Sequence, residues 1–401
     1  MTGSPEGPAG PAIVLGEPGF FLRPDYHDVL ATLRRHHPVH RTDDGLLAVS
    51  RYEDVRAVSR DPVHFVSGRG VLINDPLRDP AGTGRNTYSI LHLDPPLHGA
   101  YRTLVNRQFT PRAVAELAGR IRQVVAEVLD AVDPTGVVDL VDAVAAPVPI
   151  TVIAEMFGVP DADRALFRRW SDAVIESTDA TDEERAAELG EMATFLLDRI
   201  DAPAGRSTVL LDVLKGATLE DRPLNRAEIM GFCLTLLVAG NETTRTLLSG
   251  GVEALARHPD QRAVLAGDPG AVPTGVEEIL RWVTPIQAFG RTASEDVELS
   301  GVPVAAGEFV VLLYASANRD EGVFGPTADR FEVARPSLPA HLAFGFGEHV
   351  CIGSALARLE ARIFFTELLA RFPRFELGGD PVYTRSTLVS GARSLPVVLD
   401  P

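Results

Sequence analysis

From about Asn225 to His258 the sequence reads as one continuous helix, and its length constrains everything around it. Asn225, with Glu228 three residues on, fits an N-cap and capping box, and Pro259 marks the end. At ~1.5 Å per residue such a helix is about 50 Å long, enough to cross a whole domain. The other elements must therefore pack around it. Its most apolar window, Ile229 to Gly240, is too short for the roughly 20 residues that span a bilayer.

The flanking sequence supplies suitable partners. Val114, Leu117, Ile121, Val125, Val128 and Val132 recur at three- and four-residue spacing, the stripe of a core-facing helix. Two amphipathic segments, 161–177 and 183–200, read as a helical hairpin, and further helices run through Val276 to Trp282 and about Ile352 to Phe372. From Tyr26 to Arg60 a short helix, a strand-like pair and another short helix are expected, and further short strands between Thr284 and Val311 and at the C-terminus. The stretch from Asp61 to Asp94 is loop-rich, as lids over sites often are. A length of 401 residues suggests two or three domains at about 100–200 each, yet no repeat or low-complexity linker divides the chain. The expected fold is mainly α with minor β, a single large domain over 1–401, with the Pro/Gly-rich residues 1–19 as a loose arm.

Charge and cysteine content narrow the function. The formal charge of −17 argues against a surface built to neutralise phosphates, so no nucleic-acid partner is expected. Two cysteines, Cys233 and Cys351, exclude a disulfide scaffold. The N-terminus has no signal-peptide pattern, and a soluble, reducing, cytoplasmic setting without a membrane anchor is the expectation.

Three constellations carry chemistry. In F-G-F-G-E-H-V-C-I-G, Phe344 to Gly353, a cysteine follows a glycine-rich loop at the start of a helix, where N–H groups favour a thiolate. Val350 stands where a dinucleotide fingerprint needs its third glycine, so that motif fails. In A-G-N-E-T-T, Ala239 to Thr244, polar and small residues of poor helix propensity interrupt the long helix. By itself this patch is equally a tolerated polar stripe or a functional distortion. In E-I-L-R, Glu278 and Arg281 form an i, i+3 pair that on a surface stabilises by only a few tenths of a kcal/mol. His98 and Arg102, at i, i+4, share one helical face, and Arg291 follows the Glu278 helix. Cys233, on the apolar face of the long helix, reads as a small core residue.

The Phe344–Gly353 segment resembles, position by position, the haem-binding loop of the cytochrome P450 family, the haem-thiolate monooxygenases. The resemblance runs from D-P-P-L-H, beginning at Asp94, to the terminal strands, with Glu321 the one departure, where the family often has proline. It implies a long central helix over a haem b, small sheets at one side, and Cys351 as the axial iron ligand. Glu242 and Thr243 become the acid–alcohol pair for O2, with Gly240 leaving room for the ligand. His98, Arg102, Arg291 and His349 become propionate contacts, and Glu278, Arg281 and Arg330 a buried network under the haem. Val238, Ala239, Ile286 and Gln287 fall at pocket positions, beside the lid at 63–92 and the hairpin at 161–200, implying a small hydrophobic substrate. The implied reaction is insertion of one oxygen atom from O2, as hydroxylation or epoxidation, into a natural-product or steroid-like skeleton. Electrons would come from a ferredoxin and an NAD(P)H-dependent ferredoxin reductase, docking near Arg102, Arg107, Arg112, Arg358 and Arg362 of a monomer. A peroxide-driven peroxygenase of the same fold, or a non-catalytic haem-binding sensor, would have no use for the Glu242–Thr243 pair.

Overall fold

The computed structural model describes residues 11–79, 89–159, 163, 166, 167, 169, 170, 182–203, 209–219, 221–336 and 338–400. The long helix is Arg226–Arg257, and both halves of its capping box are formed: Asn225 Oδ1 accepts from the Glu228 N–H, and Glu228 Oε2 accepts from the Asn225 N–H. Pro259 opens the next helix, Pro259–Gly267, as its first residue, since a helix start has no use for the N–H that proline lacks. Helices Pro147–Met156, Asp182–Asp201, Val272–Val283 and Ser354–Arg371 pack against the long helix, and their apolar faces form the main core. Cys233 lies inside that core, where burial pushes its thiol up to about 12.

A five-stranded sheet lies to one side, in the order Val39–Arg41, Leu47–Val49, Phe309–Leu313, Ala288–Ala293, Phe65–Val66. Its central strand, F-V-V-L-L, is buried throughout because both faces are covered. Val310 and Leu312 enter one apolar cluster, while Phe309, Val311 and Leu313 enter another on the opposite face. The architecture is thus mainly helical with small sheets, as expected.

Two expectations change. Residues 1–10 lie outside the described residues, but 11–19 are no loose arm. Ile13 and Leu15 are buried in the cluster on the outer face of the sheet, and Ile13 exchanges backbone and side-chain hydrogen bonds with Asp43. Two apolar residues were enough to dock a Pro/Gly-rich segment once a sheet face needed cover. The stripe from Val114 to Val132 is carried by two helices, Pro111–Glu116 and Ala118–Asp130, meeting at Leu117, and its buried edge drifts to Val124, Val125 and Leu129. Of the predicted hairpin, the second helix is Asp182–Asp201; most of the 161–177 segment lies outside the described residues.

Glu360, on Ser354–Arg371, is buried, its Oε2 has no partner, and burial raises its carboxyl from 4.5 to about 8. The folded state therefore holds a proton that the unfolded chain has released. That contribution to stability is fully present below pH 4.5 and is lost as pH rises to about 8, at up to ~1.4 kcal/mol per pH unit. Glu360→Gln should flatten the fall in unfolding midpoint over this window; parallel curves for variant and parent would contradict the assignment.

Candidate active site

The cysteine loop is shaped by two glycines. Gly345 and Gly347 have φ of +69° and +73°, the left-handed region that side chains disfavour. A Cβ on Gly347 would lie 2.1 Å from the Ser59 carbonyl oxygen, so the loop rests directly on helix Tyr52–Arg60. The Cys351 N–H donates to the Phe344 carbonyl (2.8 Å) and closes the turn. The helix after it begins at Ser354, so Cys351 precedes its first turn rather than occupying it. Burial pushes the Cys351 thiol up, opposed by the Gly353 N–H and by the charges of Arg102 and Arg358. The residue nonetheless presents surface, which therefore faces an internal cleft. A thiol so placed becomes a thiolate when a metal ion takes the proton's place. Among the described residues no group of three or more His, Cys, Asp or Glu is placed to hold a metal ion.

Beside the cysteine stand four basic side chains from three elements: His98 and Arg102 on helix Leu97–Asn106, Arg291 on strand Ala288–Ala293, and His349 in the turn Gly347–His349. The rings of His98 and His349 are 4.0 Å apart, and His349 Nε2 lies 3.2 Å from Ser67 Oγ. Burial lowers the pKa of all four, His349 to about 2, and for the two histidines the neighbouring arginines lower it further. Among the described residues no carboxylate forms an ion pair with any of them. Asp94 bears on His98 and Arg291, yet its oxygens already accept the N–H groups of Ser67 (2.7 Å) and Gly68 (2.9 Å). Among the described residues, buried Arg291 donates only to the Gly290 carbonyl. Two arginine charges with two neutral imidazoles beside them, and no carboxylate paired to them among the described residues, fit the two propionates of a haem at Cys351.

On the long helix Ala239 is exposed, and Thr243, one turn later, donates from Oγ1 to the Ala239 carbonyl (2.6 Å). The helix hydrogen bonds continue through the patch, so the threonine back-bond is accommodated without a break. Glu242 is buried and ion-paired with Arg245, a partner the sequence reading missed although i, i+3 spacing was its signal. Gly240 has a structural reason besides the expected one. A Cβ there would lie 2.8 Å from Ile153 Cδ1, so the glycine admits helix Pro147–Met156. The Gln287 amide donates to the carbonyls of Thr284 and Val283 at a helix end. Ile286 is half-buried and bridges to Val389. The side chain of Val238, and residues 80–88 of the lid, lie outside the described residues.

The expected network holds in two of its three members. Glu278 and Arg281 are fully buried in a bidentate pair, both contacts 2.7 Å. The second arginine on Glu278 is Arg335 (3.3 Å), not Arg330. Arg330 is exposed and contributes only its carbonyl, which accepts from both Arg281 and Arg335. In R-F-E-V-A-R the chain turns between the two arginines and sends the second one inward.

A family model described as Cytochrome P450 matches residues 272–389. The chain is 38% identical to "Cytochrome P450 monooxygenase PikC" of Streptomyces venezuelae, over 96% of this chain and 94% of that one. It is 37% identical to "Vitamin D(3) 25-hydroxylase" of Pseudonocardia autotrophica, over 94% of each. Among solved structures it resembles the Mycobacterium marinum cytochrome P450 CYP268A2 in complex with pseudoionone, with TM-score 0.86 and 33% identity over 98% of this chain and 100% of that one.

Arg335→Ala should cost about 3–5 kcal/mol in denaturant unfolding, because it strips a buried carboxylate of one counter-charge. Arg330→Ala should stay within ~0.5 kcal/mol, as exposed substitutions do. Equal losses would restore Arg330 to the network.

Proposed function

The chain belongs to the cytochrome P450 family as a monooxygenase, and from that premise we propose that it inserts one oxygen atom of O2 into a small hydrophobic substrate with a natural-product or steroid-like skeleton. The observation that carries this reading is the Cys351 thiol set beside four basic groups, none of them ion-paired to a carboxylate among the described residues. Cys351 is the iron ligand, and His98, Arg102, Arg291 and His349 hold the propionates of haem b. Bound there, thiolate-ligated haem supplies the electron push that favours O–O cleavage.

The chain's own residues then manage protons and access. The Thr243 hydroxyl, which donates to the Ala239 carbonyl, serves proton delivery to O2. Glu242, held by Arg245, is the acid behind it and relays protons from water. Val238, Ala239 and Ile286 border the substrate. The names of the relatives, a vitamin D3 hydroxylase and a P450 in complex with pseudoionone, favour an apolar skeleton over a polar metabolite. Electrons come from a ferredoxin and its NAD(P)H-dependent reductase in the cytoplasm, meeting a monomer at Arg107, Arg112, Arg358 and Arg362. These arginines are at least partly exposed; Arg102 belongs to the interior cluster instead.

The reduced, CO-bound protein should show the strongly red-shifted Soret band of thiolate ligation, and Cys351→Ala should abolish it; an unshifted band would sink the assignment. Thr243→Ala should keep that band yet divert electrons from product to peroxide by at least about tenfold in the coupling ratio, a lower bound beside the ~10²–10⁴-fold in rate that a positioned proton-transfer group contributes. Unchanged coupling would favour a peroxygenase.

A further inference from the structure

Outside the cysteine's cleft, a cavity of about 470 Å³ opens between the segment Leu338–His341 and the helices Val272–Val283 and Ser354–Arg371. Its chemistry is organised by Glu277. Oε1 accepts from Arg358 Nε (2.8 Å) and Oε2 from Arg358 Nη2 (2.9 Å). His341 Nε2 lies 3.2 Å from Oε2, and Arg362 Nη2 lies 3.7 Å from Oε1. Burial by itself would raise this carboxyl, but His341 and Arg358 hold it down to about 2, so it is ionised throughout the physiological range. Unlike buried Glu278 beside it, the Glu277 side chain is 25% exposed, and Arg358 and Arg362 are 31% and 43% exposed. These charges lie within reach of a partner.

Arg358 also touches the cysteine loop. The Arg358 guanidinium lies 4.4 Å from the centroid of the Phe344 ring, and the Phe344 carbonyl accepts the Cys351 N–H. Helix Pro111–Glu116, which carries exposed Arg112, packs beside Ser354–Arg371 and extends the basic face. On a chain of net charge −17 such a face is local, and it complements an acidic protein.

Resting on the reading that an acidic ferredoxin feeds this enzyme, we propose that Glu277 is a built-in competitor for that donor, holding Arg358 and Arg362 until a donor carboxylate enters the cavity and takes over part of their pairing. An exchange between two partly solvated carboxylates changes the ion-pair count little, so the complex stays weak and releases quickly. Without Glu277 the cations would repel one another and grip an acidic donor too tightly for turnover.

The test uses the haem-loaded enzyme and an acidic [2Fe–2S] ferredoxin, with dissociation constants measured by calorimetry from low to high salt. Glu277→Gln should tighten binding by roughly three- to tenfold at low salt, the effect of one nearby unit charge in a largely aqueous setting. The gain should shrink as salt rises. Glu277→Asp keeps the charge but falls short of both Arg358 nitrogens, so it should tighten binding by a smaller factor and covers the case in which Glu277→Gln fails to fold. Unchanged or weaker binding in the folded variants overturns the proposal. Arg362→Gln and Arg112→Gln separate the two levels. If they weaken binding while Glu277 variants do nothing, the competitor falls and the docking face stands. If they too do nothing, the docking face falls, and the competitor with it.

Discussion

Glu278 is enclosed by protein with Arg281 clamped on both its oxygens and Arg335 behind, and neither sign of charge would be tolerable there alone. The consequences spread through the backbone. Arg281 donates to the carbonyls of Asn318, Ala328 and Arg330, and Arg335 to those of Thr327 and Arg330. A stretch with no regular periodicity thereby has its carbonyl groups satisfied by two side chains. Asn318 carries the linkage onward: its Nδ2 donates to Thr284 Oγ1 (2.8 Å) and its Oδ1 accepts the Leu342 N–H (2.6 Å). The Leu342 carbonyl in turn accepts from Gly345. One buried carboxylate is thus connected, bond by bond, to the loop that presents Cys351.

Helix Val272–Val283 serves this loop twice because successive residues on a helix point about 100° apart. Glu278 is directed inward, to the network. Glu277 is directed to the surface, where it takes His341, the residue just before Leu342, and Arg358, which covers Phe344. The loop is therefore tied down from its buried side and its solvent side by neighbouring acids of one helix. The departure at Glu321 is accommodated by the same economy, since Arg34 and Arg35 both reach its carboxylate.

What the sequence disclosed follows the range of the interaction involved. The long helix was readable because its cap, Asn225 and Glu228, is a contact three residues apart, and the cysteine loop because Gly345 and Gly347 need backbone angles that only glycine adopts freely. Arg330 and Arg335 could not be told apart locally; which one turns inward depends on Glu278, more than fifty residues earlier. Gly240 announced a close approach but not what approached, and one answer, Ile153, comes from another helix. Gln287 was assigned by its position, which did not announce that its side chain answers to carbonyls left open by the helix end. Ile13 and Leu15 were hidden by the prolines and glycines around them, since local flexibility says nothing about a sheet face waiting to be covered.

The arginines sort by what balances them, and the sorting follows function. Arg281 and Arg335 are buried and balanced by a carboxylate of the chain, so their work is finished when the protein folds. Arg358 and Arg362 are partly exposed and share one carboxylate, a balance that another acid can disturb. Buried Arg291 and half-buried Arg102 have no carboxylate paired to them among the described residues, beside two histidines whose protonation burial already opposes. Folding alone leaves that last group costly, because two like charges drawn together and partly out of water are not neutralised. A ligand bringing two carboxylates would relieve the cost in the native state only, since the unfolded chain has no such cluster, and its binding would stabilise the fold by mass action. On the proposed function that ligand is the haem, and cofactor retention and protein stability then become one equilibrium in which these four side chains take part.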